Sequence, residues 1–208
     1  MKVSIVGGTG AFGRALAARL RDLDFDVAVG SREHQRGWER AVELGVRGGS
    51  NDEIVKDADL VVLAVKSNAT LDTARELAEV IGETPVLCVA SDLKFTERGI
   101  LPGREERSLA EELAQTIDAP VASGLQSVSA VELAANELPD QDALIAGDDP
   151  RAKEPALELA GKLVGGRAID VGPLANSRAL EAMTAVILNV NRRYRAHAGL
   201  RLTGIPNK

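Results

Sequence analysis

The sequence predicts an α/β protein with a doubly wound, mostly parallel sheet. Short apolar runs alternate with helical patterns along the chain, as βαβ units require. Several runs, Asp59-Leu60-Val61-Val62-Leu63-Ala64-Val65 above all, are continuous rather than alternating, which marks strands buried on both faces. The first run ends in a turn of glycines.

Lys2-Val3-Ser4-Ile5-Val6 reads as the first strand, and Arg14 to Leu23 as the helix after the turn. Between them, Gly8-x-Gly10-x-x-Gly13 has the spacing of a dinucleotide-binding corner. Gly8 permits the turn, Gly10 lets a diphosphate approach the backbone, and Gly13 lets helix and strand pack closely. The diphosphate would rest on the helix N-terminus, where free N–H groups and the helix dipole favour anions. This is the opening of a Rossmann-like fold.

The second strand, Asp26-Val27-Ala28-Val29-Gly30, narrows the ligand. An NAD site usually has an acidic side chain at its tip, to hold the ribose 2′-OH. This chain has Ser31-Arg32 there, with His34 and Arg36 just behind. Ser31 can donate to a 2′-phosphate and Arg32 can cap it with a planar, permanently charged fork. A unit charge pair about 4 Å apart near a protein surface is worth roughly 4 kcal/mol before desolvation and entropy reduce it, enough to select NADP(H) over NAD(H).

Composition sets the boundaries. The 208 residues, 45% hydrophobic, suit one large α/β domain or that domain with a small companion. A net charge of −6 argues against sequence-independent nucleic-acid binding, and 2% aromatic residues leave no base-stacking platform. Cys88, the sole cysteine, sits inside an apolar strand and reads as a small buried side chain rather than a nucleophile. No apolar run approaches the length of a membrane span, and structure is expected from Lys2 onward without a signal peptide. The expected compartment is the cytoplasm.

After Arg36 a polar stretch containing Trp38 leads into a helical segment ending at Leu44 and a Gly45–Gly49 turn, with Val46 as the remnant of a third strand. Ser50-Asn51-Asp52-Glu53 looks like a cap and acidic first turn opening a short helix through Lys56. The central strand Asp59–Val65 precedes Lys66-Ser67-Asn68 and a helix over Thr70–Ile81; Pro85–Ala90 is the next strand. Ligands of such sheets lie outside the carboxyl ends of the strands, so Val65, Lys66, Ser67, Ala90 and Ser91 become candidates to line the ribose and nicotinamide. Lys94 to Arg107 is a polar excursion, either a lid or a long connection, and Ser108 opens a capping box with Glu111. Pro120–Leu125 and Ala143–Gly147 are further strands; a helix runs from Asp148-Asp149-Pro150 to Val164, and Arg167–Val171 is the last strand. The longest helix extends to about Ala198, with Leu180, Met183, Ile187 and Leu188 at helical spacing, and the tail Leu200–Lys208 extends or frays.

The assembled pattern resembles the NADPH-dependent reductases of the deazaflavin coenzyme F420. The matching segments are Gly7-Gly8-Thr9-Gly10-x-x-Gly13, Val29-Gly30-Ser31-Arg32, Leu71-Asp72-Thr73-Ala74-Arg75-Glu76-Leu77, Ala146-Gly147-Asp148-Asp149, Asp170-Val171-Gly172-Pro173-Leu174-Ala175-Asn176-Ser177-Arg178 and Ile187-Leu188-Asn189. The resemblance implies that Thr9, Gly10, Ala11, Phe12, Ser31, Arg32 and Arg36 hold NADP. It also implies that the deazaflavin lies over the nicotinamide, in a cleft against the C-terminal segment. Two segments depart from the family's pattern. Gln126-Ser127-Val128-Ser129 replaces a His-Thr-Ile-Pro-like stretch, and Lys66-Ser67-Asn68 replaces an Ile/Pro/Trp-like one.

The expectation is therefore an NADP(H)-binding Rossmann domain over residues 1–125 and a smaller C-terminal domain over 126–208 that completes the acceptor cleft. Gln126, Ser127, Val128, Asn176 and Ser177 are the candidates on the acceptor side. Hydride transfer needs position more than acid–base groups, so no catalytic residue is assigned. His34 and His197 read as surface or structural. A Tyr-x-x-x-Lys pair is excluded, because Tyr194 is followed four residues on by Ala198. No phosphate-binding Gly-Lys-Ser/Thr loop occurs and no His/Asp/Glu cluster has metal-ligand spacing. Alternatives on the same fold are an NADPH-dependent reductase of a flavin, imine or carbonyl, and a non-catalytic NADP(H) sensor. A homodimer through the long helix is expected by analogy, with a small-molecule hydride acceptor and neither nucleic acid nor membrane as partner.

Overall fold

The computed structural model describes residues 1–205. The first corner is β1 (Lys2–Val6), α1 (Ala11–Asp22) and β2 (Asp26–Ser31), followed by α2 (His34–Leu44), β3 (Arg47–Ser50), α3 (Asn51–Val55), β4 (Leu60–Leu63), α4 (Ser67–Ile81) and β5 (Val86–Cys88). A hairpin of β6 (Leu93–Thr96) and β7 (Gly99–Pro102) precedes α5 (Leu109–Ala114), β8 (Val121–Gly124) and α6 (Ala130–Leu133). The chain closes with β9 (Ala143–Gly147), α7 (Pro150–Leu163), β10 (Ala168–Asp170), a 3-10 turn at Leu174–Asn176 and α8 (Ser177–Tyr194).

Eight strands form one sheet in the order β10-β9-β8-β5-β4-β1-β2-β3. Every neighbouring pair in it is parallel except β8–β9, which is antiparallel. Leu60, Val61, Val62 and Leu63 of β4 are fully buried, as their unbroken apolar run demands. Each such side chain contributes roughly 1.5–3 kcal/mol by leaving water. Leu16, Leu20, Leu133, Leu159 and Leu163 build the core on one face, from α1, α6 and α7. Ile54, Val55, Leu77, Ile81, Leu109 and Leu113 build the other, from α3, α4 and α5. Residues beyond 125 contribute β9 and β10 to this same sheet.

Several local expectations are corrected. The Gly45–Gly49 segment is largely strand: β3 pairs parallel with β2 from Ala28↔Arg47 to Ser31↔Ser50. Its Gly48 and Gly49 carry no β-forming side chain, so the pattern hid it. They are small because α2 lies directly on them; a Cβ at Gly37 would overlap the Gly49 carbonyl oxygen. The polar stretch around Trp38 is itself helical, and Trp38 is half-exposed. Residues 94–107 contain the β6–β7 hairpin rather than an irregular crossing, pinned by Asn189, whose amide donates to Ile100 O and accepts from Ile100 N. The one-turn α6, with its Ser129–Glu132 capping box, escaped the sequence reading. The last helix stops at Tyr194 rather than Ala198, where Arg195 turns left-handed (φ 52°) and Asn191 Oδ1 accepts from Ala198 N. The tail to residue 205 docks on the start of β9: Asp142 accepts from Leu202 N, and Arg167 donates to Leu202 O and Ile205 O. Pro206, Asn207 and Lys208 lie outside the described residues.

Candidate active site

The glycine turn between β1 and α1 is built as the spacing requires. Gly7 takes φ +84°, and a Cβ there would lie 2.8 Å from Ala64 O. A Cβ at Gly13 would meet Gly7 O at 2.6 Å and Gly8 Cα at 2.8 Å, so helix and turn touch backbone to backbone. Gly10 caps α1 with no side-chain acceptor, and the first turn of α1 carries no acidic residue. That helix end is open to an anion. Gly7 supplies the left-handed bend, a part that the fingerprint reading gave to Gly8.

A groove of about 620 Å³ runs from this turn along the carboxyl ends of β2 and β4. Thr9, Gly10, Ser31, Arg32, Arg36, Val65 and Lys66, all candidates from the sequence, line it together. Gly8 and Gly13 are buried beneath it as supports, and Ala11 and Phe12 stand at the start of α1. Neither Arg32 nor Arg36 makes an ion pair among the described residues. The nearby carboxylate of Glu53 is committed elsewhere. It accepts from Ser50 N at 2.8 Å and meets His34 Nδ1 at 2.5 Å, and these bonds hold its pKa down to about 2. The arginines therefore remain available to a phosphate.

Sequence reasoning missed the opposite wall. Asn68, Ala69, Asp72, Thr73 and Glu76 of α4 line the groove, with Asn51 from α3 at its edge. The i, i+4, i+7/8 recurrence along α4 is the signal that was available. From Asn68 to Glu76 the helix rises about 12 Å, enough to flank a nucleoside.

The remaining candidates behave differently, both Ala90 and Ser91, expected on the cofactor side at the nicotinamide, and those expected on the acceptor side; neither Ala90 nor Ser91 lines the groove. Ala90 belongs to the core. Ser91 Oγ and Thr184 Oγ1 are 2.9 Å apart, and Thr184 donates onward to Gln126 O, so these groups join β5, β8 and α8. Gln126 is 9% exposed, and its amide donates to Ser123 Oγ at 2.7 Å and to Cys88 O. Leu125 before it takes φ +68°, a costly setting for a bulky side chain, and it reverses the chain so that Gln126 turns inward. Val128 is buried in the core. Ser177 is fully buried, with Oγ donating to Leu174 O and 2.5 Å from Ser108 Oγ. Asn176 is exposed and its amide donates to Val171 O. The crevice lined by Gln126 and Ser127 measures about 10 Å³, the room of a single water. Cys88 is buried and its thiol is pushed up to about 12 by desolvation, which leaves it inert.

The comparisons with known proteins cover the whole chain. A family model described as "NADP oxidoreductase coenzyme F420-dependent" matches residues 2–91, the segment that carries the groove. The F420-dependent NADP reductase of Methanocaldococcus jannaschii is 31% identical, over 99% of this chain and 99% of its own length. This chain belongs to the F420-dependent NADP reductase family. The enzyme of that name from Methanothermobacter marburgensis is 32% identical over 99% of this chain and all of its own. A crystal structure provisionally described as an F420-dependent NADP reductase of Arthrobacter sp. FB24 superposes with a TM-score of 0.86 at 22% identity, over 98% of this chain and 99% of that one, and shares the fold. Members of the family are oxidoreductases that use NADP. The residues here fit that cofactor: a turn whose glycines let backbone pack on backbone, an uncapped helix end, and two arginines without ion pairs among the described residues, Arg32 just beyond β2 and Arg36 in the first turn of α2. No helix of the described residues is long and apolar enough to cross a membrane, and no group of His, Cys, Asp and Glu among them suits a metal ion.

Proposed function

We propose that this protein transfers a hydride between NADP(H) and coenzyme F420. The observation that carries the reading is the 620 Å³ groove in which Ser31, Arg32 and Arg36 share one cavity with the glycine turn. The turn and the N-terminus of α1 bind the diphosphate, through Thr9, Gly10, Ala11 and Phe12, with Gly8 and Gly13 as supports beneath. Ser31, Arg32 and Arg36 bind the 2′-phosphate. Val65 and Lys66 at the end of β4, with Ala90 and Ser91 at the end of β5, border the nicotinamide. When bound, the nicotinamide supplies a hydride at its C4 and the deazaflavin accepts one at a ring carbon. The protein's part would be to stack the two rings and exclude water, with no dedicated acid required. Gln126 and Ser127 border the acceptor through backbone and β-carbon surface, since the Gln126 amide is occupied within the chain. Residues 126–208 complete the acceptor side of the cleft.

The working form we propose is a cytoplasmic homodimer. Val186 and Tyr194 on α8 and Phe95 on the hairpin are 54%, 70% and 74% exposed, an apolar surface suited to a second copy. Sedimentation at micromolar concentration is expected to give twice the chain mass.

The activity is tested by mixing the protein with NADPH and F420, FMN, cyclic imines or simple carbonyls and following the nicotinamide absorbance. Oxidation with F420 is expected. Oxidation with another acceptor alone would replace the deazaflavin in this assignment, and tight NADPH binding with no turnover would make the protein a sensor.

A further inference from the structure

Lys66 breaks two local rules at once. It is the N-cap of the 15-residue α4, a position that favours Ser, Thr, Asp or Asn, and its side chain makes no capping bond there. It also sets an ammonium at the positive end of the helix dipole, with no acidic residue in the first turn to offset it. Nor is it neutralised from outside the helix. Lys66 makes no ion pair among the described residues, while Asp72 is paired with Arg75, and Asp92 accepts from Ser67 Oγ and pairs with Arg104. A cation set against its own helix on the wall of a ligand groove points to a task on the ligand.

Sheet order decides which part of the ligand it meets. β1 lies between β2 and β4, with Val6 level with Gly30 on one side and with Leu63 on the other. The glycine turn continues β1; Ser31 and Arg32 stand at the end of β2, and Ala64, Val65 and Lys66 beyond β4. A Cβ at Gly7 would lie 2.8 Å from both Ala64 O and Val65 Cγ1, so the end of β4 touches the turn itself. A dinucleotide lies across such a crevice with its diphosphate at the turn and its two nucleosides to either side. With the 2′-phosphate on the β2 flank, the nicotinamide half falls on the β4 flank, where Lys66 stands.

Resting on the NADP(H) reading above, we propose that Lys66 makes the site discriminate between the two redox forms of the cofactor, favouring NADPH over NADP⁺. The phosphates are identical in the two forms, and only the nicotinamide differs. As hydride leaves its C4 with the electron pair, the ring is oxidised and gains one positive charge; the acceptor is reduced and gains the negative charge of the hydride. An ammonium on that flank repels the oxidised ring and attracts the reduced acceptor. It loosens NADP⁺ for release and tilts the bound equilibrium toward reduction of the acceptor.

The test titrates NADP⁺ and NADPH separately into the full-length protein and its Lys66→Met and Lys66→Arg variants, and reads the ratio of the two dissociation constants. Any attraction of Lys66 for the phosphates cancels in that ratio. Lys66→Met is expected to lower the ratio of Kd for NADP⁺ to Kd for NADPH about three- to tenfold at low salt, and Lys66→Arg to leave it within about twofold. The difference between wild type and Lys66→Met should shrink at 1 M salt, where charges are screened within about 3 Å. Lys66→Gln gives the same fall and serves if the methionine variant fails to fold. A ratio unchanged in the neutral variants, or one that falls equally in Lys66→Arg, overturns the proposal. A wild-type protein that binds neither form overturns the cofactor reading instead, a result distinct from any change in the ratio.

Discussion

The two ends of the cleft differ in how their polar groups are used. On the cofactor side Arg32, Arg36 and Lys66 line a groove and make no ion pair among the described residues. On the acceptor side Gln126, Ser177 and Asn176 all spend hydrogen bonds on their own fold. A site that must grip a charged, flexible dinucleotide keeps its donors free. One that must present a flat face to a ring is served by rigid, satisfied walls. Idle polar side chains thus mark the part of a site that binds by charge and hydrogen bonds, and their absence does not disqualify the part that binds by shape.

The largest expected effect tests the grip itself. Gly13→Ala drives a Cβ into the Gly7 carbonyl and must open the turn, so NADPH affinity measured by calorimetry is expected to fall about 100-fold, as misplacements near 1 Å do. Retained affinity would mean the turn is not the diphosphate seat. Next comes the phosphate-reading tip. Arg32→Ala removes charge-assisted bonds worth about 1.5–3 kcal/mol, so NADPH should weaken roughly 10- to 100-fold while NADH stays within about twofold. Parallel losses for both dinucleotides would erase the distinction drawn for that tip.

On the satisfied side the effects should be smaller and should appear in stability. Ser177→Ala removes the contact with Ser108 Oγ and the bond to Leu174 O, at a cost of about 1 kcal/mol by denaturant unfolding, with KM for the acceptor unchanged. A shifted KM at unaltered stability would return Ser177 to the acceptor pocket. The last effect concerns Glu181, buried on α8. Burial pushes its pKa up to about 7 from an ordinary 4.5, although Leu109 N and Ala110 N donate to it and Arg104 lies near. Between those values the folded protein keeps a proton that the unfolded chain has released, so stability declines as pH rises from about 4.5 to about 7. In Glu181→Gln a plot of Tm against pH should lose that decline; an unchanged slope would place the titration on another group.

Much of this was legible in the sequence, for physical reasons. β4, β5 and β9 announce themselves because burial on both faces leaves continuous apolar runs. The Ser50 and Ser108 caps follow from residue types that accept from free N–H groups. β3 was not legible, since a strand of Arg-Gly-Gly-Ser is selected by what lies on top of it and not by its own propensity. Ser31, Arg32 and Arg36 could be placed because a strand tip is local information. The α4 wall and Asn51 depend on how separate elements meet. Gln126 could be named as a neighbour of the acceptor, but the left-handed Leu125 that turns its amide inward leaves no mark in residue order.

The contact between Gly37 and Gly49 has a consequence for how cofactor choice can change. Arg36 sits one residue from a junction of bare main chain, where no interlocking side chains need readjustment when neighbours are exchanged. Residues 32 and 36 form a replaceable tip on a fixed mount, so a lineage could drift between phosphorylated and unphosphorylated dinucleotides by surface substitutions alone. At 37 itself a single methyl group would unseat the helix, and that position is closed to exploration.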